Sequence, residues 1–267
     1  MTQVPEGRGV PVKVSYRDVR AGYSDAKAQQ ERLDVMFRWF ARPLSFPVAW
    51  VFLRWAWRPN SVTFLSLGGN VLGLALMVSG VRLWMMIGVV ILLLALILGA
   101  ADGNMARATR TFSPLGEWLE GVGAYVLYAC YHFAGGLGAA RSTSTVVPVV
   151  QAAWATPSRL IALGAGASIS ITLAVLVAAK FSLTFPQIER ESVVAKRGGG
   201  LYGALFTVGK NLSFPSGLVL PVTLIAIAVR RYEYLLIFFA LANACMLVAL
   251  LTRCLSLALR VSTTPES

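Results

Sequence analysis

The sequence predicts an all-α membrane protein, a six-transmembrane-helix bundle preceded by an interfacial amphipathic helix. Three observations predict this fold class. Hydrophobic residues occupy 57% of the 267 positions, charged residues occupy only 13%, and long apolar runs separate the few polar stretches. Because a soluble domain carries about 25% charged residues, the deficit indicates a chain whose main solvent is lipid.

The positive charge of the chain is distributed around these apolar runs. There are 24 basic and 12 acidic residues, which leave a net charge of +12. Because the basic residues flank apolar runs, we expect membrane lipids with anionic headgroups and anionic substrates as partners, and no nucleic acid. The three cysteines, Cys130, Cys245 and Cys254, lack metal-ligand spacing, which favours small buried side chains.

The first 58 residues divide into two predicted parts. Residues 1–24 mix proline, glycine and charge without periodicity and are expected to form a mobile cytosolic tail. Residues 25–58 are expected to contain the interfacial helix, because apolar and charged side chains alternate at helical spacing. Tryptophans and arginines, which are typical of a membrane interface, follow: Trp39, Trp50, Trp55, Trp57, Arg42, Arg54 and Arg58. A soluble helix that covers the ends of the bundle is compatible with the same pattern.

A membrane domain is predicted over residues 59–260, with a C-terminal tail at 261–267. Its apolar runs cover 61–80, 83–101, 121–140, 159–179, 216–229 and 234–258. About 20 helical residues cross roughly 30 Å of hydrocarbon. Pro215 and Pro221 shorten the fifth run, which is either a kinked span or begins earlier, near Leu201. Five spans are the alternative count.

The ends of the runs predict an orientation, and their interiors predict close packing. Most Lys and Arg residues near span ends fall on the side that receives the turn between the second and third runs. We therefore expect an inner or plasma membrane protein with this turn and both termini in the cytosol. Glycines such as Gly73, Gly136 and Gly164 predict helices that approach one another closely.

Ionisable residues at membrane depth single out that turn as a candidate site. Asp102 ends the second run, Glu120 lies about one turn into the third, and Arg107 lies between them. A hairpin would bring both carboxylates to one level, where they and Arg107 could hold a divalent cation and a phosphate group. An Asp–Arg pair or a helix cap at the lipid boundary is the alternative.

The same stretch resembles a family signature. Asp102-Gly103-Asn104-Met105-Ala106-Arg107, then Gly116 and Glu120, resembles D-x2-D-G-x2-A-R-x8-G-x3-D-x3-D, the signature of the CDP-alcohol phosphotransferases, without a gap. Upstream, Pro59-Asn60-Ser61-Val62-Thr63 resembles the P-N-x-[IV]-T sequence of this family. The resemblance covers residues 30–260 in layout and residues 59–63 and 99–124 in specific positions.

The resemblance implies a function and a set of site residues. Family members move a phosphatidyl or phospho-alcohol group from a CDP-linked donor to an alcohol, release CMP, and usually form homodimers. It implies phospholipid or related lipid synthesis, Mg²⁺ or Mn²⁺ as cofactor, and Asp102 and Glu120 as catalytic and metal-binding residues. The implied nucleotide- and phosphate-binding residues are Asn60, Thr63, Asp102, Gly103, Ala106, Arg107 and Gly116.

Two positions depart from the signature. Gly99 and Ala124 replace its first and fourth aspartates, which in the family bind metal and, for the fourth, activate the acceptor hydroxyl. A single ion or none is therefore expected, and the base is not identified. A transferase, a catalytically impaired pseudoenzyme that binds a nucleotide or lipid, and a diverged enzyme with other transfer chemistry all stay open. Glu117 is either a further ligand or a charge that interacts with the helix dipole.

Two other groups of residues are candidates outside the signature. His132, the only histidine, lies about 18 Å from Glu120 along an ideal helix, which favours an interhelical hydrogen bond over a role as base. Lys196, Arg197 and Lys210 are weaker candidates for binding an anionic substrate. Alternatively, these three basic residues bind no substrate and only determine how the chain is oriented in the membrane.

Overall fold

The computed structural model describes residues 14–142, 154–186, 188 and 201–262, and the regular structure in these ranges is helical throughout. A π-helical turn, Phe37–Ala41, leads directly into the third helix. The helices are α1 (Tyr16–Ala21), α2 (Asp25–Gln30), α3 (Arg42–Arg54), α4 (Pro59–Val78), α5 (Arg82–Thr109), α6 (Pro114–Arg141), α7 (Pro157–Thr184), α8 (Leu201–Ser213), α9 (Val219–Ala228) and α10 (Tyr232–Ser262). The predicted all-α class is confirmed.

Within the described residues, four helices are long and apolar enough to cross a membrane. They are α4, α5, α7 and, over Tyr232–Arg260, α10. Their lengths of 20 to 29 residues meet or exceed the roughly 20 residues that a span requires. The chain is therefore an α-helical membrane protein.

The other two predicted spans differ from these four in composition or in length. α6 has 28 residues but carries glutamates and a histidine. The fifth run is divided, because α8 ends at Ser213 and α9 begins only at Val219, with Pro215 in the turn between them. α9 has 10 residues, about 15 Å of helix, which is too short to span alone. Six spans therefore stay a prediction, in which α6 and the α8–α9 pair are the additional members.

Residues 25–58, where an interfacial amphipathic helix is predicted, contain α2 and a second helical stretch in which the π-helical turn continues into α3. α2 ends at Gln30, and the chain turns before the π-helical segment. α1 lies within the stretch expected to be a mobile tail. Ser15 and Asp18 cap α1 reciprocally, since each donates its backbone N–H to the side chain of the other. Val19 is fully buried among residues of α3, α4 and α5, so this part of the predicted tail belongs to the folded structure.

Close approaches at glycines hold the long helices together, as the small-residue pattern predicts. Between α4 and α5, a Cβ atom added at Gly88 would lie 2.6 Å from the carbonyl oxygen of Gly73. Between α6 and α4, a Cβ atom added at Gly138 would lie 2.0 Å from the carbonyl oxygen of Met77. Any side chain at these positions would force two helices apart.

One group of hydrogen bonds between distant segments lies at the end of the bundle where α5 ends and α4 and α6 begin. Asn60, in the first turn of α4, donates to Ser113 Oγ at the start of α6 over 3.2 Å. Asn211, near the end of α8, donates over 2.6 Å to the carbonyl of Leu33 in the N-terminal segment, residues 14–58, which precedes α4. This end, called the motif end below, carries the residues of the signature.

Candidate functional site

The predicted hairpin between α5 and α6 is present. Asp102 lies two turns before the end of α5, and the helix stops at Arg110, which has a φ of 55° in the left-handed region. The Ala106 carbonyl accepts a hydrogen bond from the N–H of Thr111 over 3.0 Å, so Ala106 contributes to this helix end. Ser113 caps α6 by accepting from the N–H of Gly116 over 3.2 Å.

Motif residues from three helices meet around Asp102. Asp102 is only 6% exposed, and its carboxylate interacts with the side chain of Thr63 on α4, whose hydroxyl donates to the carbonyl of Pro59 over 3.2 Å. It also interacts electrostatically with Glu120 on α6 and with Arg107 on its own helix. Glu120 itself is exposed. The fold therefore joins a buried and an exposed carboxylate at one site.

Asn60 and Gly116 form a second contact between motif positions that are distant in sequence. A Cβ atom added at Gly116 would lie 2.9 Å from Asn60 Oδ1. The same Asn60 side chain donates to Ser113 Oγ. Glycine at position 116 therefore makes room for the amide that fastens α4 to α6.

Arg107 lies flat over the glycine of the motif. A Cβ atom added at Gly103 would lie 3.3 Å from both Nη1 and Nη2 of Arg107. Nη2 donates to Asn104 Oδ1 over 2.7 Å, and the buried Nε has no hydrogen-bond partner among the described residues. The absence of a side chain at Gly103 thus allows the guanidinium to fold back along α5.

Sequence reasoning missed a buried arginine that enters this site from α3. Arg42 is 4% exposed and donates from Nε to Glu31 over 2.9 Å, while its Nη2 pairs with the other oxygen of the same carboxylate. Its Nη1 donates to the Ala100 carbonyl over 3.2 Å and to Asn104 Oδ1 over 2.9 Å. Asn104 in turn donates to Ser45 Oγ over 2.8 Å. The N-terminal segment is therefore bonded directly to the motif helix.

Aromatic rings enclose this arginine. Arg42 Cζ lies 5.0 Å from the ring centre of Tyr23 and 4.8 Å from that of Phe37. The Tyr23 hydroxyl donates to Glu31 over 2.8 Å. Burial and this hydrogen bond raise the pKa of Tyr23. The two rings thus shield the Glu31–Arg42 pair from solvent. Both contact the guanidinium of Arg42, and the Tyr23 hydroxyl also bonds to Glu31.

A second set of bonds fastens the N-terminal segment to the turn between α8 and α9. Asp34 pairs with Lys210 Nζ over 2.8 Å and accepts from Ser216 Oγ over 2.8 Å. Lys210, a predicted binder of an anionic substrate, therefore already has a carboxylate partner. Lys196 and Arg197, predicted with it, lie outside the described residues.

The carboxylates limit what metal the site could hold. Among the described residues, no group of three or more His, Cys, Asp or Glu side chains is arranged for a metal ion. Asp102 and Glu120 would supply two carboxylates to one Mg²⁺ or Mn²⁺ ion at most, and Mg²⁺ usually takes its remaining ligands from water and substrate phosphates. The two carboxylates do not fit a two-metal cluster. Gly99, which replaces the first aspartate of the signature, has space beside it. A Cβ atom added there would meet only Ser66 Oγ, at 3.5 Å.

The remaining candidates lie away from this site. His132 is 2% exposed and packs against Phe239 at 4.6 Å between ring centres, and its Nδ1 has no hydrogen-bond partner among the described residues. The interhelical hydrogen bond expected for it stays a prediction. Glu117 is exposed in the first turn of α6, the position at which a carboxylate interacts with the helix dipole.

Two grooves lie beside the end of α7 and include none of the motif residues. One, of about 420 Å³, is lined by Leu176, Val177, Lys180, Phe181, Thr184 and Phe185. The other, of about 470 Å³, is lined by Tyr125, Ala179, Ser182, Leu183, Pro186 and Ile188. The chemistry of the motif end is therefore separate from both grooves.

Comparison of the chain with protein-family models and with curated protein sequences finds no match.

Proposed function

We propose that this protein is a membrane transferase of the CDP-alcohol phosphotransferase type. It moves a phosphatidyl or phospho-alcohol group from a CDP-linked donor to an alcohol and releases CMP, in phospholipid or related lipid synthesis. The observation that carries the proposal is the meeting of Thr63, Asp102 and Glu120 from three helices at one end of the bundle. These residues occupy positions of two separate sequence motifs.

The side chains at the motif end suit a diphosphate. Arg107 offers a planar guanidinium, the group that binds phosphate oxygens in pairs. In the proposed reaction the acceptor oxygen bonds to phosphorus as the bond to the CMP oxygen breaks. Because Ala124 provides no base, the hydroxyl proton passes to solvent at the exposed end of the site. Asp102 and Glu120 would hold the Mg²⁺ or Mn²⁺ ion, which when bound neutralises phosphate charge.

A binding protein without transfer activity is the second candidate function. Gly99 and Ala124 favour it, because they remove two of four carboxylates from the signature. The described residues supply no third carboxylate to replace them at Asp102 and Glu120. Such a protein would bind CDP or a CDP-linked lipid and keep it intact.

The surroundings proposed for this function follow from charge placement. We propose that the motif end and both termini face the cytosol, because most basic residues near the span ends lie on this side. Anionic lipids of an inner or plasma membrane are then the neighbours of the N-terminal tryptophans and arginines. A homodimer is the assembly that the family resemblance suggests.

Release of CMP tests the transferase directly. Purified protein is incubated with CDP-diacylglycerol or a CDP-alcohol, a panel of acceptor alcohols, and Mg²⁺ or Mn²⁺. We expect metal-dependent CMP release that Asp102→Ala or Glu120→Ala reduces by at least about 100-fold, since each removes a group placed at the reacting phosphates. Glu117→Ala is the matched control, because it removes an exposed carboxylate one turn away on the same helix.

The outcomes separate the two candidates. Absence of CMP release with every acceptor, together with CDP-induced thermal stabilisation, would replace the transferase with the binding protein. Equal loss of activity in Glu117→Ala and Glu120→Ala would contradict the specific role of Glu120. The double variant Gly99→Asp with Ala124→Asp shows whether the missing carboxylates alone account for a silent protein.

A further inference from the structure

Two arginines from different parts of the chain meet on a single amide oxygen at the motif end. Asn104 Oδ1 accepts from Arg42 Nη1 over 2.9 Å and from Arg107 Nη2 over 2.7 Å. A carbonyl oxygen has two lone pairs, so these two bonds use its capacity fully. Asn104 therefore links the position of one guanidinium to the position of the other.

The orientation of the Asn104 amide is itself fixed from α3. Its Nδ2 donates to Ser45 Oγ over 2.8 Å, and that hydroxyl donates to the carbonyl of Arg42 over 2.7 Å. Asn104 is 1% exposed and Ser45 is fully buried. With both ends of the amide engaged, Asn104 has little freedom to rotate, and Oδ1 stays pointed between the two arginines.

The charges of the two arginines are balanced differently. Glu31 forms a two-point pair with Arg42. Arg107 forms no salt bridge within the described part of the chain, and its buried Nε has no partner there. Arg42 is thus held in a two-point ion pair, whereas Arg107 interacts with Asp102 and Glu120 only beyond ion-pair distance and keeps donors for a ligand.

We propose that Arg42, held by Glu31, is a positioning residue that acts through Asn104 to aim the Arg107 guanidinium at the diphosphate of a nucleotide donor. This inference rests on the proposed function and identifies the group that the N-terminal segment contributes to it. Arg42 does not touch the ligand. Its effect reaches the phosphates through the shared Asn104 oxygen.

Calorimetric titration of the purified full-length chain with inorganic pyrophosphate and, separately, with CDP tests this inference. The main variant is Glu31→Ala with Arg42→Ala, which removes both charges together and so leaves no unpaired buried charge. Asn104→Leu removes the shared oxygen at similar size, and it decides the question if the double variant does not fold. Arg38→Ala is the matched control, because Arg38 is an exposed arginine of the same segment.

We expect the pyrophosphate Kd to rise about tenfold in the double variant and in Asn104→Leu, and to stay unchanged in Arg38→Ala. In an Arg107→Ala background the same changes should add nothing, because the residue through which Arg42 acts is gone. A purely structural role would lower stability without this dependence on Arg107.

Three results would overturn the inference. They are unchanged pyrophosphate affinity in both test variants, an equal loss with and without Arg107, and no pyrophosphate binding by the unaltered protein. Binding of pyrophosphate without binding of CDP would count against the proposed function alone. The Arg42 comparison in pyrophosphate would still decide the inference in that case.

Discussion

The interior of the bundle and its motif end differ in their contacts, although buried hydrogen bonds such as that from Tyr131 to Thr223 also occur in the interior. In the interior, helix backbones touch at glycines, as Gly138 does at the carbonyl of Met77. At the motif end, buried polar side chains join the segments, as Glu31, Arg42 and Asn104 do. The first kind of contact needs only small volume, whereas the second needs a specific partner for every donor and acceptor.

This difference separates the regions that control stability from those that control function. Backbone contacts at glycine tolerate no added atom but carry no charge, so they fix how closely α4, α5 and α6 pack. The polar contacts join the N-terminal segment, which lies outside the four apolar spans, to the helix that carries Asp102. Changes in the interior should therefore unfold the protein, and changes at the motif end should mainly alter ligand binding.

The largest expected effect comes from adding one methyl group to an interior glycine. Gly138→Ala places a Cβ atom against the carbonyl oxygen of Met77, which cannot move without the rest of α4. We expect a loss of about 3 kcal/mol in the free energy of unfolding, measured by thermal or denaturant unfolding in detergent. Ligand affinity per folded molecule should not change.

Gly166→Ala on α7 is the control for this substitution. Nothing lies within 4 Å of a Cβ atom added at Gly166, and alanine favours a helix by about 1 kcal/mol over glycine. The control should be neutral or stabilising. If both substitutions destabilise equally, close backbone contact is not what holds the interior together.

A smaller effect is expected where a glycine serves the motif end. Gly116→Ala places a Cβ atom 2.9 Å from Asn60 Oδ1, and so disturbs the hydrogen bond between Asn60 and Ser113. We expect about 1 kcal/mol of destabilisation together with weaker CDP binding by calorimetry. Gly121→Ala, on the same helix with open space around it, should change neither quantity. If Gly116→Ala lowers stability but leaves CDP affinity unaltered, Gly116 is not part of the nucleotide site.

Much of the bundle could be predicted from the sequence because lipid imposes simple rules on length and composition. The charge-free run from Leu83 to Ala101 forms the N-terminal two-thirds of α5, and Gly73 and Gly164 lie at helix contacts as expected. Gly68 and Gly166 do not, since a Cβ atom at either would meet nothing within 4 Å. Small residues predict that helices approach closely, but which glycines face a neighbour depends on helix rotation, which hydropathy does not encode.

The candidate site could be predicted only in part. Motif spacing places Asp102, Arg107 and Glu120 on one hairpin, because neighbouring helices of a bundle reverse direction over a short turn. Arg42 and Glu31 carried no such signal, because their partner Asn104 occupies a variable position of the signature and is 62 residues from Arg42. Interfacial basic residues usually face headgroups, so only the folded structure reveals that Arg42 points inward.

The smallest expected effect is at the outermost part of the N-terminal segment, in α1. Hydrogen bonds from the Ser15 hydroxyl and backbone hold the pKa of the Asp18 carboxyl below its ordinary value of 3.8. A carboxyl with a lower pKa in the folded state stabilises that state above its ordinary pKa, and this contribution is lost as pH falls through the lowered folded value. Because Asp18 is exposed, the loss should loosen α1 alone.

Hydrogen exchange of the α1 amides, corrected for intrinsic rates, should accelerate as the pH is lowered from about 6 to about 3. In Asp18→Asn these amides should exchange fast at both pH values. An equal acceleration across α4 and α5 would show instead that acid acts on the bundle and that the polar contacts of the N-terminal segment are not a separate layer of the structure.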